Sequence, residues 1–505
     1  MSLRKLGTET LIYGLSNILG RLLNFVLVTY FITRLMSSEE FGVVGDLAFW
    51  TGWLIALLVF RMDTAVFRFA SRGDYSARAV FRRTQAIVWA LVGIIGGGLA
   101  VFGEQLADWL KYPDRVVYVY LVLATVAFDA LSAVPLARLR LAERAWFFVA
   151  VNLGNVVANI VLIYLLLYVV PNNVESFERL TGIRYVQTYR VGFYLASVAV
   201  AAGLRYLVLL IDAWARPRVG AEVLDDRVVE DSAPSLATLF NYTAPLTLVS
   251  AAGIFNALAG PTLIKLYLDA GDGSTTDSLY YSGQFSAALK LAVILNLFVT
   301  AYNYAAEPFF FRQAGRDLAT ADRTIYADAT RAYAIVGSLA AAFILLFLPW
   351  LQLLIDEGER QGLYVLPILL LANLLFGLYA NFSVAYKLTD RTLLGGGTAA
   401  AGSLLLLGFT LATIESLGLR APAYGMLVCY LLMCALAYWI SRRYFPVAYP
   451  IGRIVVYILL CGIAVHLGMT NEAFWWRLLL LVLLLVAFLG LEYRWARRAF
   501  FGRRR

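Results

Sequence analysis

The sequence predicts an all-α integral membrane protein of about fourteen transmembrane helices, built as two pseudo-symmetric six-helix lobes plus a C-terminal helix pair. Three observations predict it. Hydrophobic residues make up 61% of the 505 residues, well above the usage of soluble domains. They gather into runs of about 20, the length that crosses a bilayer. The basic residues alternate from one side to the other down to the C-terminus, which a wrong span count would scramble.

The first run, 8–33, carries Arg21 near its middle. Asn17 and Asn24 lie at i−4 and i+3 from it and share its helix face, as does Tyr13. A charged side chain there costs about 2.5–3.5 kcal/mol on insertion. It therefore faces a bundle interior or a water-filled cavity, or pairs with an acid on a neighbouring helix. The following runs are 41–60, which holds Asp46; 84–103; 116–137, which holds Asp129; 146–170, with a stripe of Asn152, Asn155 and Asn159; and 190–211. These complete an N-terminal lobe over 1–212. A polar, charged segment, 213–235, reads as a cytoplasmic linker.

The C-terminal lobe, 236–441, holds runs at 237–259, 280–305, 329–351, 363–386, 393–414 and 422–440. In the eighth span Asn296, Thr300, Asn303 and Glu307 share one face, and Lys290 places a second cation near the centre. Asn373, Gly377 and Asn381 share a face of the tenth. The last pair, 452–468 and 474–493, lies within 442–505 with a basic cytoplasmic tail. An internal echo supports the repeat. Asp63 stands five residues before Arg68 at the end of the second span, and Glu307 stands five before Arg312 at the end of the eighth. Six spans separate them, so the repeat is parallel, about an axis along the membrane normal.

With the N-terminus placed in the cytoplasm, the inside segments hold 29 of the 42 Lys and Arg. The outside loops hold 10, Lys265 among them, and Arg21, Arg205 and Lys290 fall within spans. The net charge of +9 thus reflects the positive-inside rule and not a nucleic-acid surface. Cys429, Cys434 and Cys461 all lie in apolar runs, and His466 is the one histidine, so neither a disulfide framework nor a metal site is expected. The first run is too long for a cleavable signal and has no A-x-A site after it. Gly395–Gly397 lacks the lysine of a phosphate-binding loop, which argues against direct ATP use. The longest outside loop, 171–189, has no paired-carboxylate pattern, so an enzyme is not expected.

Asparagines in spans serve as hydrogen-bonding glue as readily as they bind substrate. Arg21 and Lys290 read as functional, because ionisable groups in a membrane are costly. If the two lobes face each other across a central cavity, the two cations line opposite walls and suit a ligand bearing phosphate, with a forked donor on one side and a point charge on the other.

Three segments carry a family resemblance: ETLIYGLSNILGRLLNFVLVTYFITRLMSSEEFG (9–42), FRMDTAVFRFAS (60–71) and YSGQFSAALKLAVILNLFVTAYNYAAEPFFFRQ (281–313). The chain resembles the Wzx-like polysaccharide-biosynthesis flippases of the multidrug/oligosaccharidyl-lipid/polysaccharide exporter superfamily. The resemblance covers most of the chain and is strongest in 1–80 and 235–320. It implies an alternating-access flippase of the cell (inner) membrane with both termini cytoplasmic. Such a protein moves an undecaprenyl-diphosphate-linked oligosaccharide to the periplasmic leaflet for surface polysaccharide synthesis. It implies Arg21 and Lys290, with Asn17, Asn24 and Asn296, as the substrate site. Asp46, Asp129 and Glu307 become candidates for coupling to a proton or sodium ion. Asp63, Arg68, Glu307 and Arg312 become candidates for a cytoplasmic gate. No cofactor and no nucleic acid is expected. The expected partners are the polyprenyl-diphosphate glycan, membrane lipids and other polysaccharide-assembly proteins. The alternatives are a peptidoglycan-precursor flippase, or an ion-coupled drug antiporter with fewer cavity cations and more buried acids.

Overall fold

The computed structural model describes residues 22–23, 29–71, 75–142, 144–182, 189–216, 232–268, 275–314, 322–389 and 391–501. Among the described residues 13 helices are long and apolar enough to cross a membrane, and none forms a strand. They coincide with the second to fourteenth expected spans, to within a turn or two at most ends. Most of the first span, with Arg21, Asn17 and Asn24, lies outside the described residues.

The main helices are α1 (Thr29–Leu35), α2 (Ser38–Val59), α3 (Met62–Ser71), α4 (Ala77–Leu91), α5 (Val116–Leu141), α6 (Ala145–Tyr164), α7 (Arg190–Ala215), α8 (Leu236–Tyr267), α9 (Thr275–Ala314) and α10 (Thr324–Leu346). They continue with α11 (Leu366–Phe382), α12 (Thr392–Leu417), α13 (Arg420–Tyr444), α14 (Ile451–Met469) and α15 (Phe474–Phe501). A capping box starts α2: the Ser37 hydroxyl accepts from the Glu40 amide, and the Glu40 carboxylate accepts from the Ser37 amide. The second span breaks between α2 and α3, where Phe60 and Arg61 both have positive φ, 47° and 53°. Non-glycine residues rarely adopt this region, so the break is a strained joint. Pro135 lies inside α5, and Pro245 and Pro261 lie inside α8. Such prolines persist in membrane helices because neighbouring groups satisfy the freed carbonyls.

The chain divides into two compact units, Met1–Ser286 with Leu411–Leu419, and Ala287–Thr410 with Arg420–Arg505. The division falls inside α9, and residues 217–231 of the polar segment 213–235 lie outside the described residues. In the first unit α5 packs along α7, and α2 packs along α8. Leu139, Phe148, Val151 and Leu209 form one buried cluster of that unit. In the second unit α11 packs on α13, and α10 packs on the α14–α15 pair. Glu492, 3% exposed, fixes that pair to α10. Its carboxylate accepts from Arg331 at 3.3 Å, from the Tyr457 hydroxyl at 2.5 Å and from Arg453.

Candidate functional site

Asp46 lies two turns into α2 and is fully buried. Its Oδ2 accepts from Lys265 Nζ at 2.6 Å and from the Tyr112 hydroxyl at 2.8 Å. Its Oδ1 accepts from the Thr262 hydroxyl at 2.7 Å. Lys265 donates to the Leu110 carbonyl as well, and its ammonium lies 3.5 Å from the centre of the Tyr112 ring. Each charge is therefore paired and hydrogen-bonded, the condition under which a buried ion pair is tolerable. Burial, and then the Asp46 charge, push the Tyr112 hydroxyl well above its ordinary range, so it remains a donor.

The expectation that Lys265 belongs to an outside loop is corrected here. Lys265 sits in the last turn of α8, which runs eight residues past the expected end of the span at 259. The helix continues through Gly260 and Pro261 to Tyr267. Thr262 and Lys265, three residues apart, then share the face that meets α2.

The same end of α2 is fastened a second way. A Cβ on Gly42 would stand 2.0 Å from the Leu279 carbonyl oxygen, and one on Gly283 would stand 1.9 Å from the Ser38 carbonyl oxygen. The backbones of α2 and α9 thus touch where both helices begin, the close approach that small residues permit between membrane helices. The Ser282 hydroxyl donates to the Pro261 carbonyl at 3.0 Å, tying α9 to α8. Beyond Asp46 on α2, Trp50 packs edge-on against Trp53 and Trp109, so its ring is used in packing.

Lys290 is the sixteenth of the 40 residues of α9 and is partly buried. Among the described residues its ammonium makes no hydrogen bond and no ion pair. The asparagines behave differently. The Asn296 side chain donates to the Asn373 side chain at 3.2 Å and accepts from Thr300. Asn381 accepts the Tyr302 hydroxyl at 2.6 Å and the Thr330 hydroxyl at 3.4 Å. These bonds staple α9 and α10 to α11.

Asp129 on α5 pairs with Arg205 on α7 at 2.7 Å. Asp63 and Arg68 do not pair. Five residues apart on a helix, they point about 140° away from each other. Asp63 accepts from the neighbouring Thr64 hydroxyl, while the Arg68 guanidinium lies 4.3 Å from the Tyr242 ring centre. Glu307 and Arg312 lie on α9, with side chains outside the described residues.

No protein-family model matches the chain, and no curated protein matches its sequence. Solved structures do match its fold. The lipid II flippase MurJ, in an inward closed conformation, is similar over 96% of this chain and 99% of its own, with 12% identity and a TM-score of 0.63. An inward-facing multidrug resistance MATE transporter of the MOP superfamily is similar over 89% of this chain and 96% of its own, with 14% identity and a TM-score of 0.61. The Vibrio cholerae MATE transporter VcmN covers 87% of this chain and 96% of its own, at 15% identity and a TM-score of 0.54. Coverage is nearly complete in each case, and the chain has the multi-pass transporter fold that MurJ and the MATE transporters of the MOP superfamily share.

Proposed function

We propose that the chain is an alternating-access flippase that carries an undecaprenyl-diphosphate-linked oligosaccharide from the cytoplasmic to the periplasmic leaflet. One observation carries this reading: Asp46 and Asp129 are tied to cations, Lys265 and Arg205, while Lys290 is not tied to an acid among the described residues. An uncommitted cation at membrane depth suits an anionic cargo such as a diphosphate. A cation-coupled antiporter calls on an uncommitted acid instead, for which Asp63 and Glu307 are the candidates. The fold likeness to a protein named as a lipid II flippase supports a lipid-linked cargo. It also favours a second reading, a peptidoglycan-precursor flippase, in which Lys290 would meet the same diphosphate.

On this reading Arg21 joins Lys290 at the substrate. With the N-terminus cytoplasmic, α2 begins and α8 ends at the periplasmic side. The Asp46–Lys265 pair and the Gly42–Gly283 crossing are then the closed outer gate.

The test is the lipid-linked glycan pool of a deletion strain complemented with wild type, Lys290→Ala or Lys290→Arg at equal expression. The pool is expected to build up on deletion, to clear with wild type and Lys290→Arg, and to persist with Lys290→Ala. A pool unchanged by deletion overturns the reading. A peptidoglycan precursor that accumulates in its place selects the second reading.

A further inference from the structure

We propose that the end of the first unit where α4 begins carries a binding site for an anionic glycerophospholipid, separate from the translocated cargo. A groove of about 260 Å³ opens there between α4, α5 and α7. Arg78, Arg82, Gln85 and Trp89 recur along one face of α4 and line it, and Arg138 in the last turn of α5 faces them. Arg78 and Arg82 set two guanidinium groups on one wall of the groove, and like charges placed together favour an anion between them. Asp212 on α7 pairs with Arg144 at 2.7 Å, and its charge reaches Arg138 as well. Arg78 and Arg82 are exposed and form no ion pair among the described residues. Arg138 donates to the Arg216 carbonyl.

Two further features identify the ligand. The Gln85 side-chain oxygen is buried and has no hydrogen-bond partner among the described residues, so it offers an acceptor to a hydroxyl of a lipid head. The groove also opens among exposed apolar side chains: Trp89 is 50%, Leu210 47% and Trp214 85% exposed. On a membrane protein such residues meet acyl chains, so the groove faces the bilayer edge and not a water-filled channel. Arginine forks fit phosphate oxygens, and basic pockets between membrane helices bind anionic heads. From Arg82 to Trp89 the helix rises about 10 Å, which takes a lipid from its phosphate into its chains.

The experiment is native mass spectrometry of the purified full chain in mild detergent, titrated with phosphatidylglycerol, phosphatidylcholine or undecaprenyl phosphate. The variants are Arg78→Gln with Arg82→Gln, and the charge-reversed Arg82→Glu. The control is Arg442→Gln with Arg443→Gln, at the end of α13 and outside the groove. Wild type and control are expected to bind phosphatidylglycerol equally and in preference to phosphatidylcholine. The double variant is expected to lose about thirtyfold in affinity, the effect of two arginines near an anionic surface, and Arg82→Glu at least as much. Equal binding by wild type and both groove variants overturns the site. An equal loss in the control shows only diffuse attraction and overturns it too. Undecaprenyl phosphate displacing phosphatidylglycerol at a tenfold lower concentration overturns the phospholipid assignment. None of these outcomes bears on flipping of the glycan, which the pool measurement reads separately.

Discussion

The Lys265 ammonium stands 2.6 Å from Asp46 Oδ2, and each side chain is 1% exposed. This pair joins the second expected span to the seventh within the first unit. A buried pair of this kind contributes little net stability compared with an apolar substitute, yet losing one partner strands a charge. It therefore holds α2 against α8 firmly when formed, and it resists being opened one partner at a time.

Lys265→Met is expected to destabilise the protein by about 3–5 kcal/mol, because Asp46 is left buried and uncompensated. Asp46→Leu combined with Lys265→Met is expected to recover most of that loss. Thermal unfolding in detergent checks both. If the pair is the outer gate, the double variant also loses glycan clearance despite its recovered stability. Full clearance by the double variant would reduce the pair to packing.

Gly283→Ala is expected to force α2 and α9 apart, since the added carbon would meet the Ser38 carbonyl oxygen at 1.9 Å. The clash is with backbone, which cannot rotate away, and a cost of about 1–3 kcal/mol follows. Gly452→Ala is the control, because nothing lies within 4 Å of its added carbon. A melting point lowered by the first and not by the second is the expected outcome.

Lys290→Met separates stability from function. An ammonium at membrane depth, without a partner among the described residues, costs about 2.5–3.5 kcal/mol on insertion scales, so its removal is expected to raise the unfolding midpoint. The same change is expected to abolish glycan clearance. A loss of both stability and clearance would instead point to an ion-pair partner for Lys290.

Asn296→Ala is expected to cost about 0.6–1.7 kcal/mol, the range for interhelical hydrogen bonds in membranes, with clearance preserved. Its amide is already engaged by Asn373 and Thr300. Lost clearance at unchanged stability would return Asn296 to the substrate site.

The second to fourteenth spans were legible in the sequence because the bilayer sets their length. What lay beyond local periodicity was less legible. α8 runs on through Gly260 and Pro261, and this hides Lys265 from any reading that stops the span at 259. The partnership of Asp129 with Arg205 joins residues 76 apart, and no spacing rule reaches that far. The Asp63–Arg68 echo reads well as a repeat in the sequence, but five residues on a helix do not bring two side chains together. Lys290 stood out at once, since an ionisable group in an apolar run is rare. Its lack of a partner among the described residues required the structure.

The most direct test of the central claim uses proteoliposomes that contain the purified chain and an undecaprenyl-diphosphate oligosaccharide. The quantity measured is the fraction of glycan that an impermeant reagent reaches from outside. Wild type and Lys290→Arg are expected to equilibrate the glycan between leaflets, while Lys290→Ala leaves it at the level of protein-free vesicles. Equilibration by Lys290→Ala at the wild-type rate would contradict the account.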